Sequence, residues 1–204
     1  MRIWAALAAT VGLCLATPAV AAELIAGVYA HDVSFLGSAV GSGAADREKG
    51  ADIQLGLRSG RIEALRLLGA PQAHAFVSVN TDGTSDFAAV GLSWRVPLGG
   101  RFYLRPGLGL AYTDGKVNLP PVNAPGLSPD EVQRRLRLFQ TRIDFGSRTL
   151  FEPELALGAH LGGTWSAEIS WVHISNGEIF HHGKNQGLDD AGLRVVYALG
   201  ARGR

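Results

Sequence analysis

The sequence predicts an all-β protein, an eight-stranded antiparallel transmembrane β-barrel with long outer loops. Three observations predict it. The chain opens with an export signal, its apolar segments alternate with a period of two, and its connections alternate between tight and long.

Residues 1–22 read as a signal peptide. Met1-Arg2 supplies a short positive start, and Ile3 to Leu15 is a run of apolar and small residues. Ala19-Val20-Ala21 offers the small-x-small pattern of a cleavage site. Residues 23–204 form the expected barrel domain. The single cysteine, Cys14, lies in the leader, so the remainder has no disulfide, thiolate nucleophile or Cys metal site. Removing the leader takes away Arg2 and leaves 18 basic against 18 acidic residues. That balance excludes a bulk basic surface for nucleic acid. With 47% hydrophobic residues, an acidic disordered chain is excluded as well.

No later stretch approaches the ~20 apolar residues of a spanning helix. Strands are indicated instead. Weak segments near 23–32 and 72–81 join six stronger ones. Ile53, Leu55 and Leu57 alternate with Asp52, Gln54, Gly56 and Arg58. Val90, Leu92 and Trp94 alternate with Gly91, Ser93 and Arg95. Leu104, Leu108 and Leu110 share one face, opposite Arg105, Gly107 and Gly109. Phe151, Leu155 and Leu157 oppose Glu152, Glu154 and Gly158. In 165–175, Trp165, Ala167, Ile169, Trp171, His173 and Ser175 oppose Ser166, Glu168, Ser170, Val172 and Ile174. Last, Ala191, Leu193, Val195, Tyr197 and Leu199 oppose Asp190, Gly192, Arg194 and Val196.

One face of this set is apolar. The other pairs Glu152, Glu154 and Glu168 with Arg58, Arg95, Arg105 and Arg194 among glycines. A narrow barrel needs such a charge-balanced lumen, because side chains must fill it. Trp94, Phe102, Tyr112, Phe151, Trp165, Trp171 and Tyr197 fall near strand ends on the apolar face, as interfacial girdles would. Parity alone also allows the inverse arrangement, a soluble lipocalin-like barrel.

Long connections near 33–50, 113–148 and 175–189 are assigned to the outer side, and the 59–71 connection is a longer inner turn. Within 113–148, Ser128-Pro129-Asp130-Glu131 sets a capping box with proline in the first turn. Val132, Leu136 and Phe139 follow on one face, between Arg134, Arg135 and Arg137. This helix is expected to cover the barrel mouth. Contact of its arginines with lipid phosphates is the alternative.

The chemistry gathers at the last hairpin. His173 and Ser175 lie two apart, hence on one face, ~6.6–7 Å apart along the strand. Asn176 follows at once, and Asp189 shares the outward parity of Ala191 and Leu193 across the 175–189 connection. A His between a hydroxyl and a carboxylate can act as a general base on the hydroxyl. Glu178 and Asp190 are alternative acids, although Asp190 has inward parity. His181-His182 reads as an exposed loop pair rather than a metal site. His31, His74 and His160 look isolated, with structural or rim roles.

The segments Val172-His173-Ile174-Ser175-Asn176 and Asn185-Gln186-Gly187-Leu188-Asp189 resemble the signature of the PagL family, the outer-membrane lipid A 3-O-deacylases. The resemblance implies an eight-stranded barrel in the bacterial outer membrane and a carboxylic ester hydrolase needing no cofactor or metal. It implies lipid A, or lipopolysaccharide, as substrate, cleaved at the ester-linked 3-hydroxyacyl chain of position 3. Carried over, Ser175 is the nucleophile, His173 the base, Asp189 the orienting acid and Asn176 an oxyanion-hole donor. The acid is Asp where the best-known members of the family have Glu. Without the triad, the same pattern describes a non-catalytic small outer-membrane barrel acting in structure or binding. Neither reading specifies an oligomer.

Overall fold

The computed structural model describes residues 22–33 and 46–199. Residues 1–21 of the proposed leader lie outside the described residues, and its last residue, Ala22, begins β1. Nine strands form: β1 (Ala22–Ala30), β2 (Ala51–Arg61), β3 (Gln72–Asn80), β4 (Phe87–Ser93), β5 (Val96–Gly99), β6 (Phe102–Thr113), β7 (Thr149–Gly162), β8 (Trp165–Ile174) and β9 (Leu188–Leu199). Antiparallel pairing runs β4-β3-β2-β1-β9-β8-β7-β6, and β4 pairs with β6 to close the ring. β5 pairs with β6 alone, below a break at Trp94-Arg95, so the ring holds eight staves. This is the closed eight-stranded antiparallel barrel that the alternation predicts. No helix among the described residues is long and apolar enough to cross a membrane.

Which face points inward is decided by exposure. Leu55, Ile169 and Leu193 are 56%, 64% and 66% exposed, whereas Arg58, Arg105 and Glu168 are at most 1% exposed. The soluble arrangement is therefore overturned, because an apolar wall of this extent needs lipid around it. Phe102, Trp165 and Tyr197 lie at the inner rim of that wall and Tyr112, Phe151 and Trp171 near the outer rim. Trp165 packs on Tyr197 with ring centroids 4.7 Å apart.

The lower lumen is a cross-strand ion network. Glu168 accepts from Arg58 at 3.1 Å, from Arg105 at 3.1 Å, from Tyr103 Oη at 2.8 Å, and from Arg194. Arg194 also bonds Glu154 at 2.8 Å. Glu23 takes Arg58, Arg95 and Arg105 at 3.3–3.4 Å. Every one of these charges sits among opposite ones, which offsets the cost of burying it. His74 is not isolated as expected. It meets Glu152 at 3.0 Å, a pair that alternation alone could not reveal.

The upper lumen holds an apolar cluster beside the buried polar groups around His31. Tyr29, Phe76, Phe87, Leu150, Val172 and Ile174 pack with Ile143 and Phe145 from the β6–β7 loop. These two loop residues are fully buried, so the segment 142–146 stops the mouth. The predicted helix does form, as α1 (Pro129–Thr141), with Ser128 Oγ accepting from Glu131 N–H. It does not cover the mouth: none of its residues is buried. Glu131 takes Arg134 and Arg135 at 2.7 Å each, and these two guanidiniums hold its carboxyl down at about 2. Two of the three arginines are thereby engaged, which leaves Arg137 for any lipid phosphate. The inner β2–β3 connection is likewise ordered, by a 3₁₀ turn over Glu63–Leu68.

Candidate active site

The site stands where β8 and β9 leave the barrel at its outer end. Their register pairs His173 directly with Asp189 and Val172 with Asp190. Alternation then places His173 and Asp189 on the outer side of the wall and Val172 and Asp190 in the lumen. His173 Nδ1 lies 2.9 Å from Asp189 Oδ1, and the same oxygen accepts Trp171 Nε1–H at 2.8 Å. The Trp171 and His173 rings stack with centroids 6.0 Å apart. His173 and Asp189 are buried, although they belong to the outer face. A carboxylate at Nδ1 fixes the tautomer whose lone pair is on Nε2, the form a general base needs.

Gly187 makes room for that ring. A Cβ built there would stand 2.5 Å from His173 Cε1 and 3.0 Å from Nε2. Glycine is needed because the 184–187 segment runs across the Cε1–Nε2 edge of the imidazole.

Ser175 follows the last residue of β8. Its backbone is pinned to β7, receiving Phe151 N–H at 2.7 Å and donating to Phe151 O at 3.2 Å. It is half-buried. Among the described residues its hydroxyl forms no hydrogen bond to His173, whose Nδ1 is taken by Asp189.

Asn176 departs from expectation. Its side chain is fully buried, and Nδ2 donates to Phe145 O at 2.6 Å and to Lys184 O. Oδ1 accepts from Glu178 N–H at 2.6 Å. Both amide hydrogens are thus spent on carbonyls, so the side chain fastens the β8–β9 loop to the mouth segment instead of facing an oxyanion. Gly146, at φ 72°, permits this approach: a Cβ there would lie 2.3 Å from Lys184 O. Gln186 adds a second tie, accepting Asp144 N–H at 2.7 Å and Arg47 Nη1 at 2.9 Å. Neither tie was marked by the sequence, since both join residues that periodicity leaves in loops.

The alternative acids are placed elsewhere. Glu178 is exposed in the loop, and Asp190 points into the lumen toward His31. His181 and His182 are exposed, as expected. His31 is not isolated. It lies against Asp52, Asp190 and Glu48. A cleft of about 860 Å³ opens beside the loop, lined by Asn118, Asn123, Phe139, Lys184, Asn185 and Gln186 among others.

A closed eight-stranded barrel with an apolar outer wall and a packed ionic lumen defines the class: an outer-membrane β-barrel, here with a His–carboxylate pair on its outer rim. The family model "Lipid A 3-O-deacylase (PagL)" matches residues 67–198, and the chain belongs to that family. Its fold aligns with the crystal structure of the outer membrane enzyme PagL, at a TM-score of 0.53 and 13% identity, over 87% of this chain and 99% of that one. A de novo designed transmembrane β-barrel aligns with a TM-score of 0.48 at 7% identity, over 90% and 98% of the two chains. Neisserial surface protein A aligns at 0.47 and 11%, over 87% and 96%. No curated protein matches the chain by sequence.

Proposed function

We propose that this protein is a lipid A deacylase that hydrolyses the ester-linked 3-hydroxyacyl chain at position 3 of lipid A. In this reading it works as a serine esterase in the outer membrane, and residues 1–22 direct its export. Family membership supports the substrate class. The observation that carries the mechanism is the 2.9 Å contact between His173 Nδ1 and Asp189 on the lipid-facing side of the outer rim.

Ester linkages of an outer-leaflet lipid sit near the depth of this rim, with their acyl chains along the wall of β7–β9. The wall itself then serves as the acyl site. Ser175 Oγ attacks the ester carbonyl while Nε2 of His173 takes its proton. Asp189 stabilises the imidazolium that results. With the Asn176 amide engaged elsewhere, the oxyanion is assigned to backbone N–H groups that follow Ser175, Asn176 N–H first, since Gly177 N–H donates to Asn185 Oδ1 at 3.0 Å. Collapse breaks the ester C–O bond, and His173 returns the proton to the departing sugar hydroxyl. A water then loses a proton to His173 and attacks the acyl-serine; the acyl C–Oγ bond breaks as His173 returns that proton to Ser175 Oγ, releasing the 3-hydroxy fatty acid.

The test is mass spectrometry of lipid A from cells expressing the wild type or Ser175→Ala. Loss of one ester-linked 3-hydroxyacyl chain only with the wild type is expected. Equal deacylation in both refutes the role of Ser175, and loss from another position refutes the 3-position.

A further inference from the structure

Above the ionic network and on the inner side of the catalytic hairpin, three ligand-type side chains converge. His31 follows β1, Asp52 begins β2 and Asp190 lies in β9. His31 Nδ1 stands 2.9 Å from Asp52 Oδ1 and 3.4 Å from Asp190 Oδ1. One donor atom from each residue falls within 4.8 Å of the others. All three side chains are at most 1% exposed.

The arrangement is electrostatically incomplete. Asp190 is fully enclosed, yet neither of its oxygens has a hydrogen-bond partner, and His31 Nδ1 has none either. The other ring nitrogen faces Glu48 Oε2 and Thr84 Oγ1, each at 3.3 Å. Both ring nitrogens thus face carboxylates, and a cation bound at Nδ1 takes the place of the proton that Asp52 and Asp190 draw to that nitrogen. No Arg or Lys forms an ion pair with Asp52 or Asp190 among the described residues. The lumen arginines Arg58, Arg105 and Arg194 are taken up by Glu23, Glu154 and Glu168. Ser78 Oγ and Asn80 Nδ2 orient Asp52, at 2.7 and 2.9 Å, as outer-shell donors do for a ligating carboxylate.

From this convergence we infer that His31 Nδ1, Asp52 and Asp190 bind one divalent metal ion of the Zn²⁺ class. Nitrogen and oxygen ligands of Zn²⁺ sit at ~2.0–2.2 Å, which separates tetrahedral ligand atoms by ~3.4 Å. The His31–Asp190 spacing already has that value, and the His31–Asp52 spacing needs to open slightly. One imidazole with two carboxylates, Glu48 holding the far ring nitrogen, is a donor set for a borderline ion and lacks any soft ligand. The ion is structural. Asp190 adjoins Asp189, so the metal ties the root of the catalytic acid to β2 and to the residue that follows β1, without touching the ester.

The test uses the full protein folded in detergent, stripped with chelator and titrated with Co²⁺, whose visible d–d bands report bound geometry. One saturable equivalent, displaced by Zn²⁺, is expected, together with a higher unfolding temperature in Zn²⁺ than in chelator. Asp190→Asn and Asp52→Asn are each expected to weaken binding by about 100-fold or more, and Glu48→Gln by about 10–100-fold. His181→Ala with His182→Ala removes the exposed imidazoles and is expected to leave binding unchanged. Heat-modifiable migration on gels confirms that each variant is folded. The inference is overturned if the folded wild type shows no saturable equivalent and no thermal shift. It is overturned equally if binding survives Asp190→Asn or disappears with the His181/His182 pair. The wild-type measurements decide the matter even where an aspartate variant does not fold.

Discussion

Replacing Gly187 by alanine puts the positioning of the base to a quantitative test. The added methyl would stand 2.5 Å from Cε1 and 3.0 Å from Nε2 of His173, and 3.2 Å from the Ile174 carbonyl oxygen. Ordinary carbon contacts lie at ~3.5–4.0 Å, so the ring or the 184–187 backbone has to yield by about 1 Å. The ring is held on its other edge by Asp189 at 2.9 Å and on one face by Trp171. The loop is fastened through Asn176 and Gln186. Neither side can move freely, and any shift is taken by the nitrogen that must meet the Ser175 hydroxyl. A misplacement of ~1 Å costs on the order of 100-fold in rate, which corresponds to about 2.7 kcal/mol of transition-state stabilisation.

The assay is kcat/KM for ester release from purified lipid A in mixed micelles, with gel heat-modifiability as the check on folding. A folded Gly187→Ala protein is expected to lose about 100-fold, mostly in kcat. Activity within about two-fold of wild type in a folded variant would show that the imidazole is not held against this segment, and the placement of the base would be wrong.

Asp189→Asn keeps the size of the side chain and removes the charge that sets the His173 tautomer; kcat is expected to fall by about 10³–10⁴-fold, while a loss under ten-fold would exclude Asp189 as the orienting acid. Trp171→Phe keeps the stacked ring but deletes the N–H to Asp189, so a loss of about three- to ten-fold in kcat is expected, checked in the same assay. Arg194→Met leaves the buried Glu154 without its arginine and takes one of three arginines from Glu168. It is expected to destabilise the barrel by about 3–5 kcal/mol, read from the urea midpoint of folded protein in detergent. Phe145→Ala empties a fully buried position at the mouth, with an expected cost of about 3–5 kcal/mol in the same measurement.

The barrel and the facing of His173 on Asp189 were legible because strand parity is a one-bit code. Once Leu193 is outside, Arg194 is inside, and the antiparallel register carries that assignment to the neighbouring strand, setting Ile169 outside and Glu168 inside. The facing of Asp189 on His173 followed from parity and chain order, although 16 positions separate them. Partner choice within the lumen did not follow. Glu152 finds His74 and not an arginine, because which inward charges meet across a barrel depends on shear and height, quantities that the alternation does not encode.

The loops were the least legible part, and Asn176 shows the physical reason. Its place beside Ser175 suggests a donor aimed at the reacting carbonyl, since sequence proximity is all that can be weighed at that stage. What directs the amide is instead the Phe145 carbonyl, 31 positions away, brought there because Ile143 and Phe145 bury themselves in the apolar cluster of the upper lumen. Burial of a mouth-plugging loop leaves backbone carbonyls that must be paired, and a neighbouring buried asparagine is the cheapest donor within reach. His31 fails for a related reason: the β1–β2 pairing sets Asp52 beside it, and only the β1–β9 pairing that closes the barrel brings Asp190. Residues whose partners are set by closure, rather than by pleat or turn, carry no local signal. The groups that finish this site, Asn176 under the loop and Asp190 behind the acid, both belong to that class.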